Sequence, residues 1–473
     1  MKKLFILFIF ALAILFFGSV ASFAGVTKEI PYASTSSVTP NVLVILDNSG
    51  SMLCPAYFTK ADGTTITCGG PPSTSSSSID DGYNANAPYS TGDKYYGYFD
   101  ANSKYSYASG EFTIDSNGDW DGNFLNWVSM RRVDVAKKVL VGGAGLPTAR
   151  QALAAPNTNV GSSGGDYDYI KKYDRDTGIN VSNKLFPDCG ASSGNDCYFG
   201  IADGKIYRDS DNSPFNTHPS NQFIIKVNIT TDWEAGVIQE VSGLVRLGLE
   251  YFNSDSEGGD IDQAMADPPV DISYINAIEN LNPSGATPLA ESLYTAAGYF
   301  GLNHDDVGGK GPEYHNGDHP SGVNEDPFDF TVQNDVYCSD TFVILISDGD
   351  PTNDSSIPSS PFIGSGTLTD YDGDGDDGGG DDYLDDVALW AHTTDLRTDL
   401  TDLEGDQTIT LYTIFAFGSG SAVLKNAAVN GGFDDDDGDN VPDPAHPGSG
   451  HPTFANWAAY EAAPTTNEWD ENA

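Results

Sequence analysis

Asp47-Asn48-Ser49-Gly50-Ser51 sets one carboxylate and two hydroxyls at positions i, i+2 and i+4 of a single turn. Short hard-oxygen side chains spaced this way can ligate a divalent ion directly or through its water shell. Two further oxygen-bearing candidates lie far along the chain: Thr287 in Gly285-Ala286-Thr287-Pro288, and Asp348 in Ser347-Asp348-Gly349. Each piece also has an ordinary reading, as a turn, a helix N-cap before Pro288 and a strand exit. They make a site only if the fold carries all three segments to one place.

The elements around them allow that. Asn41 to Leu46 is an unbroken apolar run ending in Asp47, the pattern of a strand buried on both faces. Similar runs occupy 244–249, 341–346 and 409–416. Helical periodicity falls between them: Met130, Val133, Ala136, Val139 and Leu140 on one face, then Leu289, Leu293, Ala296, Ala297 and Phe300. Leu384, Val387, Ala388 and Ala391 mark a third helix. Ala422 to Val429 reads as a fourth, stopped by Asn430-Gly431-Gly432. Strands alternating with helices predict an open, doubly wound α/β fold with a mostly parallel sheet, whose ligands bind at the carboxyl ends of the strands. Asp47 and Asp348 both stand at such ends.

Asp47, Ser49, Ser51, Thr287 and Asp348 together resemble the metal-ion-dependent adhesion site of von Willebrand factor A domains, whose pattern is Asp-x-Ser-x-Ser, a distant Thr and a distant Asp-Gly. The resemblance implies a Rossmann-like A-domain holding Mg²⁺ or another divalent cation, with an open position filled by a carboxylate of a host or surface receptor.

Segments 53–124 and 144–240 break the alternation. They are rich in Ser, Gly, Asn, Asp and Tyr, with short apolar runs such as Phe223-Ile224-Ile225-Lys226-Val227, and are expected as large polar insertions from one sheet. Segments 302–337 and 350–382 are shorter insertions of like character. Lys94-Tyr95-Tyr96-Gly97-Tyr98-Phe99-Asp100 and Gly122-Asn123-Phe124-Leu125-Asn126-Trp127, leading into Arg132-Val133-Asp134-Val135-Ala136, resemble the N-terminal half of the type IV pilus PilY family. So do Asp381-Asp382-Tyr383-Leu384-Asp385-Asp386-Val387-Ala388 and Leu424-Lys425-Asn426-Ala427-Ala428-Val429-Asn430-Gly431-Gly432-Phe433. That likeness implies an exported assembly or tip-adhesion protein whose partners are minor pilins or the pilus tip complex. Members usually continue into a C-terminal propeller, so an A-domain spanning 41–473 is expected to be truncated before one.

Composition agrees with export. The chain has 473 residues, with 22 basic against 69 acidic side chains, a formal charge of −47 that excludes nucleic acid as a partner. Lys2 and Lys3 precede an apolar run from Leu4 to Phe17 and small residues up to Ala24, the pattern of a signal peptide over 1–24, followed by a polar lead over 25–40. An uncleaved anchor is the alternative, but the run is shorter than the roughly 20 residues a span needs. No membrane contact is expected of the mature form. Export permits disulfides: Cys54 with Cys68 and Cys189 with Cys197 would close short loops, leaving Cys338 over.

Two Asp-rich loops suggest Ca²⁺. Asp370, Asp372 and Asp374 with Gly375 follow EF-hand spacing, with Asp381 in the twelfth position in place of Glu. Asp435, Asp437, Asp439 and Asp443 repeat the alternation and resemble thrombospondin type 3 loops. A solvated acidic loop is the alternative for both.

Enzymatic readings are weak. His315-Asn316-Gly317-Asp318-His319 has zinc-helix spacing, but Gly317 and Pro320 oppose a helix there and the Glu of HExxH is missing. Gly161-Ser162-Ser163-Gly164-Gly165 fits the hydrolase string GxSxG without its strand-to-helix elbow. A calcium-binding surface or matrix protein unconnected with pili is the main alternative to the adhesion reading, and an exported hydrolase a weaker one.

Overall fold

The computed structural model describes residues 39–58, 79–80, 94–142, 149–151, 167–173, 197–209, 221–228, 235–253, 258–269, 272–302, 326–328, 340–372, 383–398, 405–417 and 422–433. In chain order the strands are β1 (Asn41–Leu46), β2 (Ile79–Asp80), β3 (Lys104–Ala108), β4 (Glu111–Ile114), β5 (Trp120–Asp121), β6 (Ala149–Gln151), β7 (Tyr169–Tyr173), β8 (Cys197–Ala202), β9 (Lys205–Asp209), β10 (Asn221–Ile224), β11 (Lys226–Asn228), β12 (Arg246–Phe252), β13 (Gly259–Ala266), β14 (Thr341–Ser347) and β15 (Ile409–Phe415). The helices are α1 (Gly122–Ser129), α2 (Arg132–Val141), α3 (Val237–Val241), α4 (Ile272–Asn280), α5 (Leu289–Phe300), α6 (Leu384–Thr393) and α7 (Ala422–Asn430).

The main sheet has five strands in the order β13-β12-β1-β14-β15. β12, β1, β14 and β15 run parallel, and β13 closes one edge antiparallel to β12. The fold is therefore α/β with a mostly parallel sheet. Every residue of β1 is buried because helices cover both faces. Leu43 and Ile45 pack with α5, α6 and α7, while Val42, Val44 and Leu46 pack with α2, α3 and α4. The register pairs Leu46 with Ile346, so Asp47 and Ser347 leave the sheet side by side.

The apolar run at 244–249 does not coincide with its strand, which is shifted to Arg246–Phe252. Leu244 is exposed, and its amide donates to the Val241 carbonyl at 2.8 Å, so the run begins in the turn that ends α3. The edge strand β13 escaped the sequence reading because its apolar residues alternate with Asp and Gln.

Segments 53–124 and 144–240 fold together. They form two further five-stranded sheets, β10-β9-β8-β7-β2 and β5-β3-β4-β11-β6. The first joins β2 to β7 and the second joins β4 to β11, so each sheet draws strands from both segments. The run at 223–227 divides between the two sheets, β10 ending at Ile224 and β11 starting at Lys226. A core of Phe99, Phe112, Trp120, Phe124, Trp127 and Phe199 replaces the aliphatic core of the main sheet. Asp121 starts α1 by accepting the amides of Asn123 at 3.0 Å and Phe124 at 3.2 Å, the usual N-cap geometry.

Buried charge ties this unit to α2. Arg131 donates to Asp134 at 2.7 Å and lies 3.5 Å from Asp168, the residue preceding β7. Burial pushes the Asp134 carboxyl up, but the Arg131 charge and hydrogen bond, with Lys137 and Tyr98, outweigh it and hold the group below the usual carboxylate range. Lys171 and Asp80, both fully buried, pair at 2.8 Å between β7 and β2. Cys54 and Cys197 are each in a disulfide. Cys68, Cys189, Cys338, the segment 1–38, Ser163, His315 and His319 lie outside the described residues.

Candidate functional site

Asp47 sits just past β1 with no exposed surface, and its amide still pairs with the Ile346 carbonyl at 2.9 Å. Its two carboxylate oxygens divide their work. Oδ1 accepts the Ser49 amide at 2.7 Å, which curls the turn, and Oδ2 accepts the Ser347 hydroxyl at 2.7 Å and the Asp348 amide at 3.3 Å. The ends of β1 and β14 are thus bound through one carboxylate.

The hydroxyls of the turn continue the connection. Ser51 Oγ donates to Asp348 Oδ1 at 2.7 Å, and Ser49 and Ser51 Oγ lie 2.7 Å apart. Because a hydroxyl has one proton, Ser49 must donate to Ser51, and the chain runs Ser49 to Ser51 to Asp348. Asp47, Ser49, Ser51 and Asp348, separated by up to 301 positions, therefore form one hydrogen-bonded group of oxygens.

Backbone ties bring in the segment of Thr287. Asn48 fixes the turn to β12, donating to the Phe252 carbonyl at 3.1 Å and accepting its amide at 3.0 Å. The Ser284 amide donates to the Asn48 carbonyl at 2.6 Å, and the Gly50 amide to the Gly285 carbonyl at 3.2 Å. Gly285 has φ of +85°, a conformation that favours glycine. Thr287 is buried and bridges to Thr352, receiving that residue's amide at 3.1 Å.

The helix-cap alternative for Thr287 meets a different arrangement. The first residue before α5 is Pro288, and the free amides of Ala290 and Glu291 are taken by Asp354 at 2.8 and 3.0 Å. A carboxylate from beyond β14 caps the helix across the crest.

Electrostatics favour a cation here. Burial, and next the charge of Asp348, raise the Asp47 pKa to about 6, against hydrogen bonds from Ser49 and Ser347 that lower it. Among the described residues one protein cation approaches: Arg132, the first residue of α2, places Nη1 2.9 Å from Asp348 Oδ2. Two carboxylates and the hydroxyls of Ser49 and Ser51 are a hard-oxygen donor set suited to Mg²⁺, Mn²⁺ or Ca²⁺, with the Thr287 segment tied to the same turn through backbone alone. Among the described residues no group of three or more Asp, Glu, His or Cys side chains is placed to hold a metal.

Sequence reasoning missed Arg132, Asn48, Ser347 and Asp354. Ser347 is adjacent to Asp348 and was within reach of the strand-exit pattern. Arg132 carries no local signal, because its partner lies 216 positions away.

Of the first Asp-rich loop, Asp370 is exposed, and Asp372 is buried with its carboxylate accepting Asn430 Nδ2 at 2.9 Å. Asp386, in the first turn of α6, accepts the amides of Tyr371 and Asp372. Asp374, Asp381, Asp435, Asp437, Asp439 and Asp443 lie outside the described residues.

Residues 86–160 match the family described as PilY1 homolog, small alpha/beta domain. The matched span includes β3, β4, β5, α1, α2 and β6, and so both Arg131 and Arg132. It supports a relation to PilY1-like proteins. No curated protein and no solved structure matches the chain. No described helix is long and apolar enough to cross a membrane.

Proposed function

We propose that this chain is an exported protein of the type IV pilus system that binds its partners through a divalent ion at the crest of the main sheet. The match over 86–160 supports the pilus assignment. The observation that carries the adhesive reading is the group of Asp47, Ser49, Ser51 and Asp348, joined by 2.7 Å hydrogen bonds at the carboxyl ends of β1 and β14. These residues, with Thr287, would hold the ion.

A bound divalent ion supplies a hard acceptor for a carboxylate on a minor pilin or on a surface receptor. The chain's own groups do the rest. Asp47 fixes the turn and joins the two strand ends, Asn48 anchors it to β12, and Ser49 and Ser51 align their oxygens toward Asp348. The burial of Asp47 and Asp348 excludes water that would otherwise weaken the attraction. No bond-breaking step is assigned, and the role is adhesion or assembly.

The test is association of the purified full chain with minor pilins in Mg²⁺ and in chelator. Wild type should bind only with the ion, and Asp348→Ala should not bind in either. Binding that survives both chelator and substitution would remove the crest from the interaction.

A further inference from the structure

We propose that the Arg132 guanidinium competes with the divalent ion for Asp348 and so sets how tightly the crest holds that ion. The inference rests on the metal reading above and extends it to a residue outside the Asp-x-Ser-x-Ser pattern.

Both Asp348 oxygens are already engaged: Oδ1 by Ser51 at 2.7 Å and Oδ2 by Arg132 Nη1 at 2.9 Å. The same nitrogen lies 3.4 Å from the Asp348 carbonyl. Among the described residues the guanidinium bonds only Asp348, and its buried Nε has no partner. Arg132 is held in place by its backbone, whose amide donates to the Cys54 carbonyl at 2.9 Å. Its neighbour Arg131 is locked to Asp134 and Asp168. A fixed positive charge therefore points at the carboxylate that a divalent ion would share.

A positioning role is the competing interpretation, and the geometry opposes it. Asp348 is oriented without Arg132, by the Ser51 hydroxyl on Oδ1 and by its own amide on Asp47. Removing the guanidinium costs little orientation and removes repulsion between a single and a double positive charge. At a separation of roughly 5 Å that repulsion corresponds even in a water-like dielectric to about a tenfold change in affinity, and the burial of the site makes this a lower bound.

The test is Mn²⁺ titration of the full chain as wild type, Arg132→Gln and Arg132→Met. Binding should tighten by at least about tenfold in both variants. In chelator the variants should melt lower than wild type, since Asp47 and Asp348 lose their counter-charge, and Mn²⁺ should raise their melting temperature by more. Unchanged or weaker binding, with wild-type binding still abolished by Asp348→Ala, would overturn this proposal alone. Absence of ion binding in wild type and variants would overturn the metal reading and this proposal with it. Should the variants misfold, the Arg132 side-chain ¹⁵N resonances of wild type serve instead: they should shift on saturation with Mg²⁺, and an unmoved signal overturns the proposal.

Discussion

Glu250 offers a test of the core that is independent of any ligand. It lies on β12 between Ile45 of β1 and Ile261 of β13, with no exposed surface. Neither carboxyl oxygen has a hydrogen-bond partner among the described residues. The carboxyl fills the space beside Gly259, where an added Cβ would come within 1.7 Å of Oε1. Burial, and secondarily the charge of Asp260, push its pKa well above 4.5. A neutral polar group buried without a partner costs about 1–3 kcal/mol. Glu250→Met keeps nearly the same length and removes that cost, so it should stabilise by about 2 kcal/mol.

The pH dependence has a definite sign. The folded state binds this proton more tightly than the unfolded state, so the wild-type contribution to stability falls as pH rises above the unfolded value near 4.5, by at most about 1.4 kcal/mol per pH unit. Urea unfolding of wild type and Glu250→Met across pH 4 to 7 should show an advantage for the variant that widens toward neutral pH. A destabilised variant, or a difference independent of pH, would mean that the carboxyl is ionised and partnered in the folded chain.

Asp134→Ala should destabilise the chain by about 3–5 kcal/mol, because it strips the buried Arg131 of its 2.7 Å partner. Amide exchange should accelerate first in β7, β8 and β9, and uniform exchange across the main sheet instead would contradict the role given to this pair. In an Asp348→Ala background, which removes the crest site, millimolar Ca²⁺ should raise the melting temperature if the Asp-rich loops bind it, through preferential binding to the folded state. Equal melting in chelator and in Ca²⁺ would take those loops out of the account.

The main sheet was legible where strands are buried on both faces. β1, β14 and β15 read as continuous apolar runs, and α5, α6 and α7 as 3.6-residue periodicity, so the crest and four of its oxygens could be placed together in advance. Elements stabilised by only one face were not legible. β13 alternates Ile261 and Met265 with polar residues, and the inserted sheets spread their aromatic core over short strands amid Gly and Ser. Long-range polar partners leave no mark on local spacing. Asp354 caps α5 from 64 positions away, and Arg132 reaches Asp348 across 216.

Anomalous diffraction from crystals grown in Mn²⁺ decides whether Asp47, Ser49, Ser51, Thr287 and Asp348 hold a divalent ion. One strong peak is expected at the crest, with oxygens of Ser49, Ser51 and Asp348 drawn toward it and the 2.7 Å contact between Ser51 and Asp348 rearranged. A featureless map at that position, with those hydrogen bonds intact at saturating Mn²⁺, would contradict it.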